Sequence, residues 1–219
     1  MIGGRRGPDP RPIPTEEPAM PATIRLARPS DRDALYRICL ATGDAGQDAA
    51  QPGRDPELLG HLYAGPYLEL QPDFAWVAED EAGVSGYLLA TPDSTDFYAR
   101  MERDWLPPLR ARSHAGHDPD GWLVKRLHST WALDPRLADW PAHLHVDLLP
   151  RTQGQGVGAR LMQAALDQLG AAGVAGVHLG VDPRNERALA WYARFGFEEL
   201  FRQPGCVWFG RRLERPAKG

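Results

Sequence analysis

The order of elements along this 219-residue chain predicts an α/β (α+β) domain around one mixed sheet. Three observations carry that expectation. Apolar residues alternate between the two-residue period of strands and the 3.6-residue period of helices, in the order β-α-α-β-β-insert-β-α-β-α-β-β. A glycine-rich turn at residues 151–158 joins a strand to an amphipathic helix. The chain is 42% hydrophobic, holds seven tryptophans and carries a formal charge of only −4, so it can bury a core rather than stay unfolded.

Residues 1–22 hold six of the 21 prolines and are expected to form a disordered, Pro-rich tail. One domain is expected over residues 23–213, with 214–219 as a C-terminal tail. Residues 23–27 alternate as a strand. Ser30 is the expected N-cap of the first helix, with Asp33 in its first turn. Ala34, Leu35, Ile38, Cys39 and Ala41 give that helix an apolar face, and Gly43 ends it. A polar loop follows at 42–48. A second helix is expected at 56–63, capped by Asp55. Strands at 74–79 and 84–90 flank a turn at 80–83.

The stretch 92–141 reads as an insertion. It contains Trp105, Trp122, Trp131 and Trp140, broken by Pro107, Pro108, Pro119 and Pro135. Short helices are expected near 97–105 and 123–132. Residues 142–149 are the next strand. Residues 156–169 form a helix with Val157, Leu161, Met162, Ala165, Leu166 and Leu169 on one stripe, ended by Gly170 and Gly173. A strand at 174–181 and a helix at 185–195 follow, and Gly196 is a left-handed cap. Strands at 197–201 and 206–213 close the domain.

Several function classes are excluded at this level. The balance is 25 basic against 29 acidic residues, so no positive surplus exists to drive nucleic-acid binding. Cys39 and Cys206 are too few for a disulfide framework or a cysteine zinc site. His114-x-x-His117 lies in a turn-rich stretch, so no metal is expected. No apolar run approaches the ~20 residues of a membrane span, and no apolar segment follows Arg5-Arg6. A cytoplasmic, reducing setting is the expectation.

The strongest chemical signal is Arg151-Thr152-Gln153-Gly154-Gln155-Gly156-Val157-Gly158. Glycines let the backbone approach a ligand, and the N–H groups and dipole of the following helix favour an anion such as pyrophosphate. Two spacings compete. Gly154-x-Gly156-x-x-Ala159 fits a dinucleotide fingerprint. However, Pro150 to Gln153 separate it from the strand, and only 61 residues follow Gly158, too few to finish a doubly wound sheet. Gln153-x-x-Gly156-x-Gly158 is the alternative.

That second spacing resembles motif A of the GCN5-related N-acetyltransferases, the GNAT family. Downstream, Asn185-x-x-Ala188-x-x-x-Tyr192-x-Arg194-x-Gly196-Phe197 is similar to a further segment of the same family. The polar loop Thr42-Gly43-Asp44-Ala45-Gly46-Gln47-Asp48 and the strand Leu144-His145-Val146-Asp147 resemble the C-terminal acetyltransferase-like domain of O-GlcNAcase. In the animal enzyme that domain is regarded as a pseudo-acetyltransferase lacking the loop. With its glycines intact and no glycosidase domain, this chain resembles the stand-alone bacterial relatives instead.

The resemblance implies a twisted, mixed, mostly antiparallel sheet flanked by helices, and acetyl-CoA as the cofactor, with CoA as product. It implies cofactor contacts from Leu148, Leu149, Gln153, Gly154, Gln155, Gly156, Val157, Gly158, Ala159, Asn185, Tyr192 and Arg194. The amide of Leu148 or Leu149 would meet the thioester carbonyl, and Tyr192 would serve as acid for the leaving thiolate. The alternative reading of Tyr192 is a core aromatic beside Trp191 and Phe195.

His145 and Asp147, two apart on a strand, share one face. Two ionisable groups there are costly unless used or paired. A His is suited to act as base near neutrality, and an Asp to bind an ammonium group. His145 can equally be a structural histidine held by a carboxylate. Asp44 and Asp48, with Asp147, are candidate acceptor contacts, or Asx-turn residues of a solvated loop. The implied reaction is transfer of acetyl to a primary amine, on a small molecule or a protein lysine, in a ternary complex. The alternative is a non-catalytic acyl-CoA-binding or protein-interaction module. Homodimers are common for the fold.

Overall fold

The computed structural model describes residues 22–113 and 119–213. The expected tails at 1–21 and 214–219, and the pair His114 and His117, lie outside the described residues. Ala22, grouped above with the tail, is instead buried against the sheet, and its carbonyl accepts a hydrogen bond from Arg160.

The chain starts with β1 (Thr23–Leu26), α1 (Arg32–Thr42), α2 (Leu58–Tyr63), α3 (Gly65–Leu70), β2 (Ala75–Asp80) and β3 (Gly83–Thr91). The insertion follows: α4 (Ser94–Arg100), a π-helical stretch (Met101–Trp105), α5 (Leu106–Arg112) and α6 (Gly121–His128). The last part is β4 (Ala142–Leu148), α7 (Val157–Ala171), β5 (Gly176–Val181), α8 (Glu186–Arg194), β6 (Glu198–Gln203) and β7 (Cys206–Arg212). The strands form one seven-stranded sheet in the order β1-β2-β3-β4-β5-β7-β6. All neighbours are antiparallel except β4 and β5. This is the expected mixed, mostly antiparallel α+β sheet. No helix among the described residues is long and apolar enough to cross a membrane.

Helices cover both faces of the sheet, so β2 and β3 read as nearly continuous apolar runs rather than alternating ones. On one face Val77, Tyr87 and Leu89 pack with residues of α1 to α6, including Leu35, Leu62, Phe97 and Leu123. On the other, Trp76, Leu88 and Leu144 pack with Leu161, Met162, Ala165 and Leu169 of α7 and Tyr192 of α8. The insertion is therefore the outer part of one core.

Four local expectations are corrected. Ser30 does not cap α1. A 3-10 turn at Pro29–Asp31 precedes the helix, and Asp31 turns back to accept from the Arg28 N–H (2.7 Å) and to pair with Arg25 (2.7 Å). The second helix begins at Leu58, because Asp55 spends its carboxylate on the Glu57 N–H (2.9 Å) one turn early. α3 was not expected, because it is short and has Pro66 near its start. The helix at 97–105 is the middle of a longer rod, α4 to α5. Pro107 and Pro108 supply no N–H to the preceding turn, and that turn widens into the π-helical stretch.

Candidate active site

β4 and β5 are paired only at Ala142↔Val177 and His143↔His178. Beyond His143 the two strands part, while β4 stays paired to β3 as far as Gly86↔Leu148. The Leu149 N–H is used by the Ser85 carbonyl (2.8 Å). Antiparallel ladders alternate, so the Leu148 N–H, one residue earlier, turns away from β3 toward the gap. Of the two amides considered as carbonyl donors, the ladder leaves Leu148.

The glycine turn closes the mouth of this gap. Gly154 and Gly156 have φ of 78° and 73°, a left-handed conformation that a β-carbon disfavours. A β-carbon at either would meet no atom within 4 Å, so the turn is open on that side. Gly158 serves a different end. A β-carbon there would lie 3.1 Å from Leu148 Cδ1 and 3.3 Å from Trp191 Cζ2, so its lack of a side chain lets α7 pack against β4 and α8. Val157 is buried and Ala159 half-buried, anchoring the first turn of the 15-residue α7. The amides of that turn, with the helix dipole, make an anion-binding end.

Side chains hold the turn in place. Gln153 Nε2 donates to the Leu148 carbonyl (2.7 Å), and its Oε1 accepts from Arg187 on α8. Gln155 Nε2 donates to the Arg151 carbonyl (2.7 Å). Arg151 pairs with Asp80 (2.7 Å), which holds that carboxyl below the usual range. Asn185 caps α8 by accepting from the Ala188 N–H (3.0 Å). Arg194 is exposed in the last turn of α8.

On the β4 face toward α1 stand His143, His145 and Asp147. His143 is fully engaged: Ser94 Oγ donates to the Pro141 carbonyl (2.6 Å), so Nδ1 of His143 donates to Oγ (2.7 Å) and Nε2 accepts from Tyr67 (2.6 Å). His145 sits among Tyr63, Tyr67 and His143 and makes no side-chain hydrogen bond among the described residues. Burial pushes its pKa down to about 4, so it is neutral at pH 7. No carboxylate holds it among the described residues. Asp147 retains partial solvent access, and Tyr87 donates to its Oδ2 (2.6 Å). Burial raises its pKa, opposed by the hydrogen bond from the Tyr87 hydroxyl.

Tyr192 is buried beside Trp191, Phe197 and Phe209. Burial first, and then the Asp147 charge, push its hydroxyl well above the ordinary range, so it keeps its proton. Asp147 and Tyr192 thus lie within electrostatic reach of each other.

Asp44 and Asp48 line a cavity of about 540 Å³ with Arg54, Trp122, Asp182 and Arg184. Asp44 is paired to Arg184 (2.7 Å), which also pairs with Asp182 (2.8 Å). This ties the α1–α2 loop to the β5–α8 turn. Asp48 accepts from the Ala50 N–H (2.8 Å), an Asx-type turn. Tyr87, Arg184 and Arg187 were not singled out from the sequence. Tyr87 lies in an apolar strand, and its only signal was a phenol in a segment expected to be buried.

Known proteins fit this geometry. The Acetyltransferase (GNAT) family model matches residues 46–197. Protein O-GlcNAcase of Rattus norvegicus is 28% identical over 205 residues, covering 87% of this chain. Mycothiol acetyltransferase of Frankia casuarinae is 30% identical over 178 residues, covering 78% of this chain. The chain spans only 22% of the length of the first and 50% of the second. The crystal structure of SsHAT superposes with a TM-score of 0.83 at 39% identity, covering 88% of this chain and 98% of that one. The family model covers more than half of the chain and includes the glycine turn at the start of α7, and the chain belongs to the GNAT acetyltransferase family.

Proposed function

We propose that this chain is an acetyl-CoA-dependent N-acetyltransferase acting on a primary amine, of a small molecule or a protein lysine, in a ternary complex. One observation carries the reading: an open glycine turn at a helix N-terminus stands beside a strand gap flanked by a carboxylate with one oxygen unengaged among the described residues. Gly154, Gly156 and the first amides of α7 suit a pyrophosphate, and the gap between β4 and β5 suits an extended chain. Acetyl-CoA supplies an activated acetyl thioester, whose C–S bond is exchanged for a C–N bond as one ammonium proton is lost and CoA leaves as the thiol. The Leu148 N–H, fixed by the β3–β4 ladder and by Gln153 on the following carbonyl, is placed to stabilise carbonyl charge. Asp147 holds the ammonium and takes its proton, with neutral His145 beside it. Tyr192, kept protonated, is the donor for the departing sulfur.

The test is acetyl-CoA-dependent thiol release with glucosamine, spermidine and a lysine-containing peptide as acceptors. Transfer to at least one is expected, and Tyr192→Phe should slow it with little change in acetyl-CoA affinity. Binding without transfer to any amine would favour a non-catalytic acyl-CoA module.

A further inference from the structure

Asp147 is an unusual charge to keep in this position. Cys39 and Thr42 face it from α1, Tyr87 from β3, Tyr192 from α8 and His145 from its own strand. No cation faces it among the described residues. Thr42 spends its hydroxyl proton on the Ile38 carbonyl (2.8 Å). Oδ1 takes no hydrogen bond among the described residues, and Oδ2 takes one, from Tyr87 at 2.6 Å. Tyr87 is fully buried and stands directly opposite Asp147 in the β3–β4 register, so packing on every side fixes its ring. Cys39, its neighbour on α1, is a thiol that burial pushes up to about 12, and so stays uncharged.

We propose that Tyr87 is a positioning residue for acetyl transfer: its hydroxyl pins Oδ2 of Asp147 and leaves Oδ1 for the acceptor amine. The inference rests on the acetyltransferase reading of the same site and adds a residue outside the glycine turn and α8. A hydrogen bond to an ionised carboxylate favours the ionised form, and a short one fixes its orientation. Without it the carboxyl loses its donor in a poorly solvated place. It then holds its proton to higher pH, and fewer molecules present a base to the amine.

The experiment compares wild type with Tyr87→Phe, using whichever of the three acceptors above is turned over. Acetyl-CoA affinity should change by less than about twofold. The kcat/KM for the amine should fall roughly 10-fold or more, and the acidic limb of its pH profile should move to higher pH. A carbon-13 titration of the Asp147 side-chain carboxyl, assigned with Asp147→Asn, should show the same upward move without turnover. An unmoved limb and an unmoved carboxyl titration would overturn the role of Tyr87, even if the variant melts lower. Full activity of Asp147→Asn would overturn the reading of the site beneath it.

Discussion

The even-numbered and odd-numbered residues of β4 meet opposite chemistry. Leu144, Val146 and Leu148 face α7 and α8 and join the apolar cluster there. His143, His145 and Asp147 face α1 to α3 and the insertion, among Tyr63, Tyr67 and Tyr87. A strand period of two makes this division possible. The two faces also differ in what they cost. The even face stabilises the fold. The odd face places three ionisable groups where burial disfavours their charge. Only His143 is fully paired on that face. The two residues left with open polar atoms, His145 and Asp147, lie beyond the last β4–β5 pair, His143↔His178, where the strands have parted.

The largest effect that would sharpen this contrast is Asp147→Asn. Turnover should fall about 10²- to 10⁴-fold, the range for loss of a general base. The fold should become more stable at pH 7, because a carboxyl whose folded pKa lies above its unfolded value loses stability as pH rises from about 4 through the folded value. The gain in melting temperature should vanish near pH 4. Equal melting curves at pH 7 would break the comparison.

Leu144→Ala probes the other face. Leu144 is 1% exposed, and removing such a buried side chain costs about 2–5 kcal/mol. Urea unfolding should show that loss, while activity per folded molecule stays within about twofold.

The smallest effect is acid sensitivity. His143, His145 and His178 are all held below the ordinary histidine value by burial. Their folded pKa values are depressed, so stability should fall as pH drops from about 6.5 toward the folded values. His145→Gln should flatten the urea midpoint against pH between roughly 6.5 and 4. An unchanged slope would mean that His145 is protonated in the fold.

How much of this was legible follows from how local each signal is. The glycine turn, the α7 stripe and the helix that follows near Asn185 are written in consecutive residues, and the structure has each of them. The shared face of His145 and Asp147 needed only the strand period. Tyr87 as the partner of Asp147 depends on the β3–β4 register, which joins residues 60 apart and has no local mark. The same holds for Arg184 on Asp44, 140 residues away. Gly158 was read as part of an anion cradle, and its packing against Leu148 and Trp191 could only be seen in three dimensions. In the insertion the prolines marked a break, but not that the rod would continue through a π-helical turn.

The most direct test of the central claim is a calorimetric titration of the wild-type protein with acetyl-CoA, beside one with NAD. Saturable acetyl-CoA binding is expected, with Kd in roughly the 1 μM to 1 mM span of enzyme KM values, and no NAD binding. No heat with millimolar acetyl-CoA, or saturation by NAD in its place, would contradict it.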